Sequence, residues 1–71
     1  MQNAANIVTV NGTERARAPG MTVSSLLAEV HDGKGVVVVE VNGLIIPAER
    51  FEETPLNAGD SVEIVHFVGG G

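Results

Sequence analysis

The 71-residue chain has no cysteine, tryptophan or tyrosine, and each absence removes a class of explanation. Without thiols there is no disulfide framework, no thiolate nucleophile and no thiolate metal site. Phe51 and Phe67 are the whole aromatic complement, 3% of the chain, so the core must be built from Val, Leu and Ile. Basic residues are scarce as well: four Lys and Arg stand against nine Asp and Glu, for a formal charge of −5. Such a surface repels phosphates, and nucleic-acid binding needs a basic footprint interleaved with stacking aromatics, so no nucleic acid is expected as a partner. A protein with a basic surface fits better. No run approaches the roughly 18 apolar residues of a membrane span. Met1-Gln2-Asn3-Ala4-Ala5-Asn6 shows no basic region ahead of an apolar stretch. The expectation is a soluble, cytoplasmic protein without a membrane partner.

What the chain does have is aliphatic, with 44% hydrophobic residues. Residues 1–71 are read as one domain, of a size that buries only about 60% of its unfolded surface. Ile7-Val8-Thr9-Val10 is a β-branched run, and Asn11-Gly12 behind it is a strong hairpin signal. Residues 14–18 then form a return strand at a sheet edge, ended by Pro19-Gly20. Thr22 is a good N-cap, and Val23, Leu26, Leu27 and Val30 fall on one helical face. Met21 is placed to staple onto Leu26, Ser24, Ser25 and Glu29 take the wet side, and Asp32-Gly33 closes a three-turn helix with His31 in its last turn.

The four consecutive valines of Val36-Val37-Val38-Val39-Glu40-Val41 predict an interior strand, and Asn42-Gly43 predicts a second tight turn. Leu44-Ile45-Ile46 is a short strand stopped by Pro47. Residues 48–54 have no clear period, and Phe51 is expected to plug the core beneath them. After a turn at Asn57-Ala58-Gly59-Asp60, residues 61–68 read as a final strand. This order predicts a two-layer α+β domain.

Catalytic constellations are missing from the pattern. His31 and His66 lie on different elements without a metal-ligand spacing. Gly33-Lys34-Gly35 lacks the Walker A spacing and a following Ser or Thr. Glu49, Glu52 and Glu53 around Arg50 fit a solvated charged surface, and the serines have no His and acid in a recognisable arrangement. The chain is expected to be neither an enzyme alone nor the holder of a metal or cofactor.

That leaves the last residues, Phe67-Val68-Gly69-Gly70-Gly71. Terminal residues commonly fray, but glycine, lacking a Cβ, can also lie extended in a slot too narrow for any other residue. The functional reading is a flexible tail from about residue 68, with Gly69, Gly70 and Gly71 entering a partner's active site. An α-carboxyl with a pKa of about 3.3–3.7 is ionised at neutral pH and is a poor acyl electrophile. It must be activated, most simply as an acyl-adenylate formed with ATP on another enzyme. A sulfur nucleophile can then displace AMP and leave a thiocarboxylate.

The segment Val41-Asn42-Gly43-Leu44-Ile45-Ile46-Pro47, followed by Leu56-Asn57-Ala58-Gly59-Asp60-Ser61-Val62-Glu63-Ile64 and then the glycine end, resembles the ThiS family of sulfur carriers in thiamine biosynthesis. The resemblance runs from about Ile7 to Gly71. It implies a ubiquitin-like β-grasp fold, a mixed four- to five-stranded sheet packed on one main helix. It also implies that Gly71 is adenylated by a ThiF-type enzyme that uses ATP, is loaded by a sulfur-donating enzyme, and passes sulfur to a ThiG-type thiazole synthase. The carrier itself would be a monomer when free. The family often has an arginine directly after the proline, whereas Ala48-Glu49 intervene here, so Arg50 takes no role from the resemblance. The small subunit of molybdopterin synthase shares the fold and tail chemistry but tends to carry prolines before its glycines. A ubiquitin-like modifier and a plain β-grasp binding module are the other readings.

Alternation in the last strand puts Val62 and Ile64 in the core and leaves Val65 and Phe67 outside. With Val38 from the valine strand they are the candidate partner-binding residues beside the tail.

Overall fold

Two Asn-Gly pairs set the geometry of the sheet. In the computed structural model, which describes residues 6–31 and 35–67, Asn11 and Gly12 have φ of 49° and 83°, and Asn42 and Gly43 have 52° and 85°. Positive φ at both central residues is the geometry of a type I′ turn, whose twist matches that of the flanking strands. The first turn joins β1 (Ile7–Val10) to β2 (Thr13–Ala16), and the second joins β3 (Val36–Val41) to β4 (Leu44–Ile46). The return strand β2 begins one residue before the expected 14–18 and ends two before it.

The last strand, β5 (Ser61–Phe67), enters between the two hairpins. The sheet order is β2-β1-β5-β3-β4, with β5 parallel to β1 and antiparallel to β3. Both turn asparagines reach across to hold it. Asn11 Oδ1 accepts from the amide of Ile64 at 2.7 Å while Asn11 Nδ2 donates to the Ile64 carbonyl at 3.1 Å. Asn42 Oδ1 accepts from the amide of Ser61 at 3.0 Å, and its Nδ2 donates to Asp60 Oδ1 at 3.0 Å. Each asparagine thus does two jobs: it tolerates the left-handed backbone and clamps the central strand.

One face of this sheet is covered by α1 (Val23–Val30). Thr22 caps it as expected, but the reciprocal partner is Ser25: the Ser25 amide donates to Thr22 Oγ1 at 3.1 Å and the Thr22 amide to Ser25 Oγ at 2.9 Å. The amides of Val23 and Ser24 donate to the carbonyls of Thr54 and Phe51, so the connection after β4 satisfies helix donors that would otherwise be orphaned. That connection holds a 3₁₀ turn, Ala48–Arg50, where the sequence showed no period. Phe51 packs partly buried against the core, as expected of it. The core itself is Val8, Val10, Met21, Val23, Leu26, Val39, Val41, Leu56 and Val62.

Three expectations for the helix need correction. It runs eight residues, little more than two turns rather than three, and His31 is its C-cap rather than part of its last turn. Val30, expected on the buried face, is 38% exposed because the helix ends there, beside an open cleft. The Asp32-Gly33 closure lies outside the described residues. No helix among the described residues is long and apolar enough to cross a membrane.

Leu26 is fully buried at the centre of the helix–sheet contact, so Leu26→Ala should cost about 3 kcal/mol of unfolding free energy. Asn11→Ala removes two bonds to β5 and puts a Cβ without a polar partner at positive φ, and should cost about 2 kcal/mol. Urea denaturation of both variants against the native chain checks the two values.

Candidate functional site

The register of β3 against β5 decides which side chains share a face. Val36 lies opposite Phe67, Val38 opposite Val65 and Glu40 opposite Glu63; between them Val37 faces His66, Val39 faces Ile64 and Val41 faces Val62. Side chains alternate across a strand, so the second set points to the helix and the first set away from it. Val62 is fully buried and Ile64 packs against the core, as expected. Val65 and Phe67 are 50% and 55% exposed on the uncovered face. Val38 joins them there, opposite Val65, although it is half-buried rather than open.

Two further residues complete the patch. Val36 is 65% exposed and pairs with Phe67; Ile45 of β4 is 66% exposed and pairs with Glu40, on the same face. Val36 was legible from the sequence, since it has the same parity as Val38. Ile45 was not, because its face depends on the register of the second hairpin. The patch has a gradient: apolar around Phe67, and acidic where Glu40 and Glu63 stand directly opposite one another. Like charges so placed oppose pairing, and a cationic group laid across them would relieve that repulsion.

Gly69, Gly70 and Gly71, with Val68 before them, lie outside the described residues, as do residues 1–5. What the fold does place is their root. Phe67 is the last residue of β5, which pairs with β1 only at Ser61 and Val62 but with β3 as far as Val36 opposite Phe67, so the chain leaves the sheet alongside the start of β3.

The other face carries a cleft of about 320 Å³ at the C-terminal end of α1, with Arg15, His31 and His66 among its walls. The sequence kept the two histidines apart on separate elements. Their rings in fact meet edge to face at 4.5 Å, because His66, though exposed, lies on the helix side of β5, near the residue that caps the helix. Arg15 reaches Glu29 of the helix at 3.5 Å. Among the described residues no group of three or more His, Cys, Asp or Glu could hold a metal ion. Arg50 forms an exposed pair with Glu53 at 3.0 Å, an arrangement that contributes little to stability.

A mixed five-stranded sheet holding one helix, with its final strand in the middle, defines a ubiquitin-like β-grasp domain. Residues 8–71 match the ThiS family, and the chain belongs to that family. It is 48% identical over 50 residues to the sulfur carrier protein ThiS of Bacillus subtilis, a match covering 70% of this chain and 76% of the relative. It is 41% identical over 64 residues to the thiazole synthase of Paramagnetospirillum magneticum; there the match covers 90% of this chain but spans only 20% of that longer protein. The crystal structure of the thiamine biosynthesis protein ThiS from Geobacter metallireducens superposes with a TM-score of 0.71 at 35% identity, over 92% of this chain and 99% of that one. The solution structure of a thiamine biosynthesis protein from the same organism gives 0.74, covering 92% and 87%.

Because Val65 and Phe67 stand outside the core, Val65→Ser and Phe67→Ala should each change the unfolding free energy by less than about 1 kcal/mol. Chemical denaturation reads this directly. A loss as large as that of Leu26→Ala would mean that the face is covered.

Proposed function

We propose that this chain is a sulfur carrier in thiamine biosynthesis, a protein substrate passed between enzymes rather than an enzyme. The observation that carries the proposal is its membership of the ThiS family. An apolar face on β3 and β5 that ends where the glycine tail begins supports it. In this reading Gly71 is the point of attachment. A carboxylate oxygen attacks the α-phosphorus of ATP on a ThiF-type enzyme, and pyrophosphate leaves. A sulfide-level nucleophile from a sulfur-donating enzyme then attacks the acyl carbon, AMP departs with the bridging oxygen, and one oxygen of the carboxylate has been replaced by sulfur. The carrier contributes no acid or base to these steps and binds no cofactor; ATP belongs to the activating enzyme.

The thiocarboxylate is delivered to a ThiG-type synthase for thiazole formation. The likeness to the Paramagnetospirillum thiazole synthase supports this partner, since a stretch similar to this chain makes up about one fifth of that protein. Names drawn from thiamine biosynthesis among the relatives favour this pathway over the molybdopterin synthase small subunit. Val38, Val65 and Phe67, with Val36 and Ile45, form the docking surface, and Gly69 to Gly71 enter the partner's site. The carrier acts as a cytoplasmic monomer between encounters.

Incubation with ATP, a sulfide source and the adenylating enzyme should raise the intact mass by the difference between sulfur and oxygen. Deletion of Gly71 should abolish the gain. No mass change, under conditions where an authentic carrier is loaded, would refute the proposal. Phe67→Ala should weaken binding to the adenylating enzyme by about tenfold, the loss of roughly 1.4 kcal/mol of contact, while leaving the fold intact. Titration calorimetry alongside circular dichroism separates the two effects.

A further inference from the structure

Among the described residues Gly12, Gly20, Gly35, Gly43 and Gly59 all have positive φ, yet their surroundings differ. A Cβ built on Gly12, Gly20, Gly43 or Gly59 meets nothing within 4 Å. At Gly35, with φ of +74°, it would overlap the carbonyl oxygen of Phe67 and come within 3.2 Å of Nε2 of His66. Gly35 immediately precedes β3, and Phe67 is the last residue of β5, facing Val36 across the final rung. The turn conformation explains glycine at the other four positions. At Gly35 the neighbouring strand demands it as well.

The obstacle is backbone, which cannot swing aside as the end of a side chain can. The Phe67 carbonyl can retreat only if its peptide plane turns, and that rigid plane is the one through which the chain continues to residue 68. The geometry points to Gly35 as a positioning residue for the C-terminal tail: by letting the start of β3 close on the Phe67 carbonyl, it fixes the orientation of the peptide group through which the chain continues to its glycine end. This rests on the sulfur-carrier reading above. In that reading the glycine end enters a narrow slot, so an error at its root is carried to the reacting atom. A reacting atom held about 1 Å out of place can cost on the order of 100-fold in rate.

Gly35→Ala and Gly12→Ala form a matched pair, because both put alanine at similar positive φ, +74° and +83°. The conformational penalty is common to them, and the clash with Phe67 belongs to Gly35→Ala alone. Thiocarboxylate formation by the adenylating enzyme, with ATP and sulfide, is followed by intact mass at varied carrier concentration. At saturation Gly35→Ala should be loaded roughly 10- to 100-fold more slowly than the native chain, with KM changed far less because Val38 and Val65 remain. Gly12→Ala should be loaded within about twofold of the native rate, since substitutions away from the site leave catalysis to the partner. Equal rates for the two variants would overturn the role of Gly35. Failure of the native chain to be loaded, where an authentic carrier is, would overturn the sulfur-carrier reading and this inference with it. Should Gly35→Ala not fold, the native chain decides by nuclear Overhauser contacts. The Gly35 α-protons should contact the His66 ring both free and bound to the adenylating enzyme, and loss of that contact in the complex would overturn the role.

Discussion

Everything in this fold depends on the last strand occupying the middle of the sheet. β5 is laid parallel to β1 and antiparallel to β3, so neither hairpin is joined to the other until the C-terminal residues arrive. The two bonds from Asn11 to Ile64, and those from Asn42 to Ser61 and Asp60, fasten it at both ends of its buried half. These are contacts between residues 18 to 53 positions apart, so their entropy of closure is met late and their formation completes the domain as one unit. The clamped half of β5 closes the sheet, and from there its pairing with β3 continues to Val36 opposite Phe67, which holds the root of the tail against one neighbouring strand.

The same strand also divides the labour of the molecule between its two faces. Val62 and Ile64 point toward α1 and help to hold the fold; Val65 and Phe67 point the other way and stand outside the core. A two-layer domain leaves one sheet face open by construction, and most such faces are made polar. Here valine and phenylalanine occupy it near the tail, while Glu40 and Glu63, with Ile45 beside Glu40, occupy it farther back. The net charge of −5 keeps such a surface soluble. It also favours partners that combine an apolar platform with basic groups.

Much of this was legible in the residues. The Asn-Gly pairs announced both turns because few sequences supply two successive positive φ angles, and Thr22 with the aliphatic spacing behind it announced the helix. The outward set Val65 and Phe67 followed from strand alternation once Val62 was taken as core. Residues 48–54 were opaque for a physical reason: they act through the carbonyls of Phe51 and Thr54, which accept from the helix amides, and backbone acceptors leave no mark on side-chain pattern. Leu56 was missed as a core residue because it lies in a loop, outside any periodic run. The meeting of His31 with His66, and the need for glycine at residue 35, depend on which strand lies beside which. That is decided by pairing across the whole chain, and no local pattern encodes it.

In the proposed cycle a carrier that visits several enzymes in turn cannot hold any of them tightly. The apolar face is built from five side chains, one of them half-buried, and sits at the scale of a weak, transient contact rather than an obligate interface. Rigidity is what makes so small a surface sufficient in the proposed cycle. If the tail root were loose, part of the binding free energy would be spent ordering it, and the contact would have to be larger to compensate. Holding the root in a strand paired to β3 as far as Phe67 lets a modest face fix both position and direction. A weak contact then still delivers the reacting end to its slot and still releases it afterwards. Where a similar stretch lies within a longer synthase, as in the Paramagnetospirillum relative, the contact can be weaker again, because a tether supplies the local concentration that affinity otherwise must.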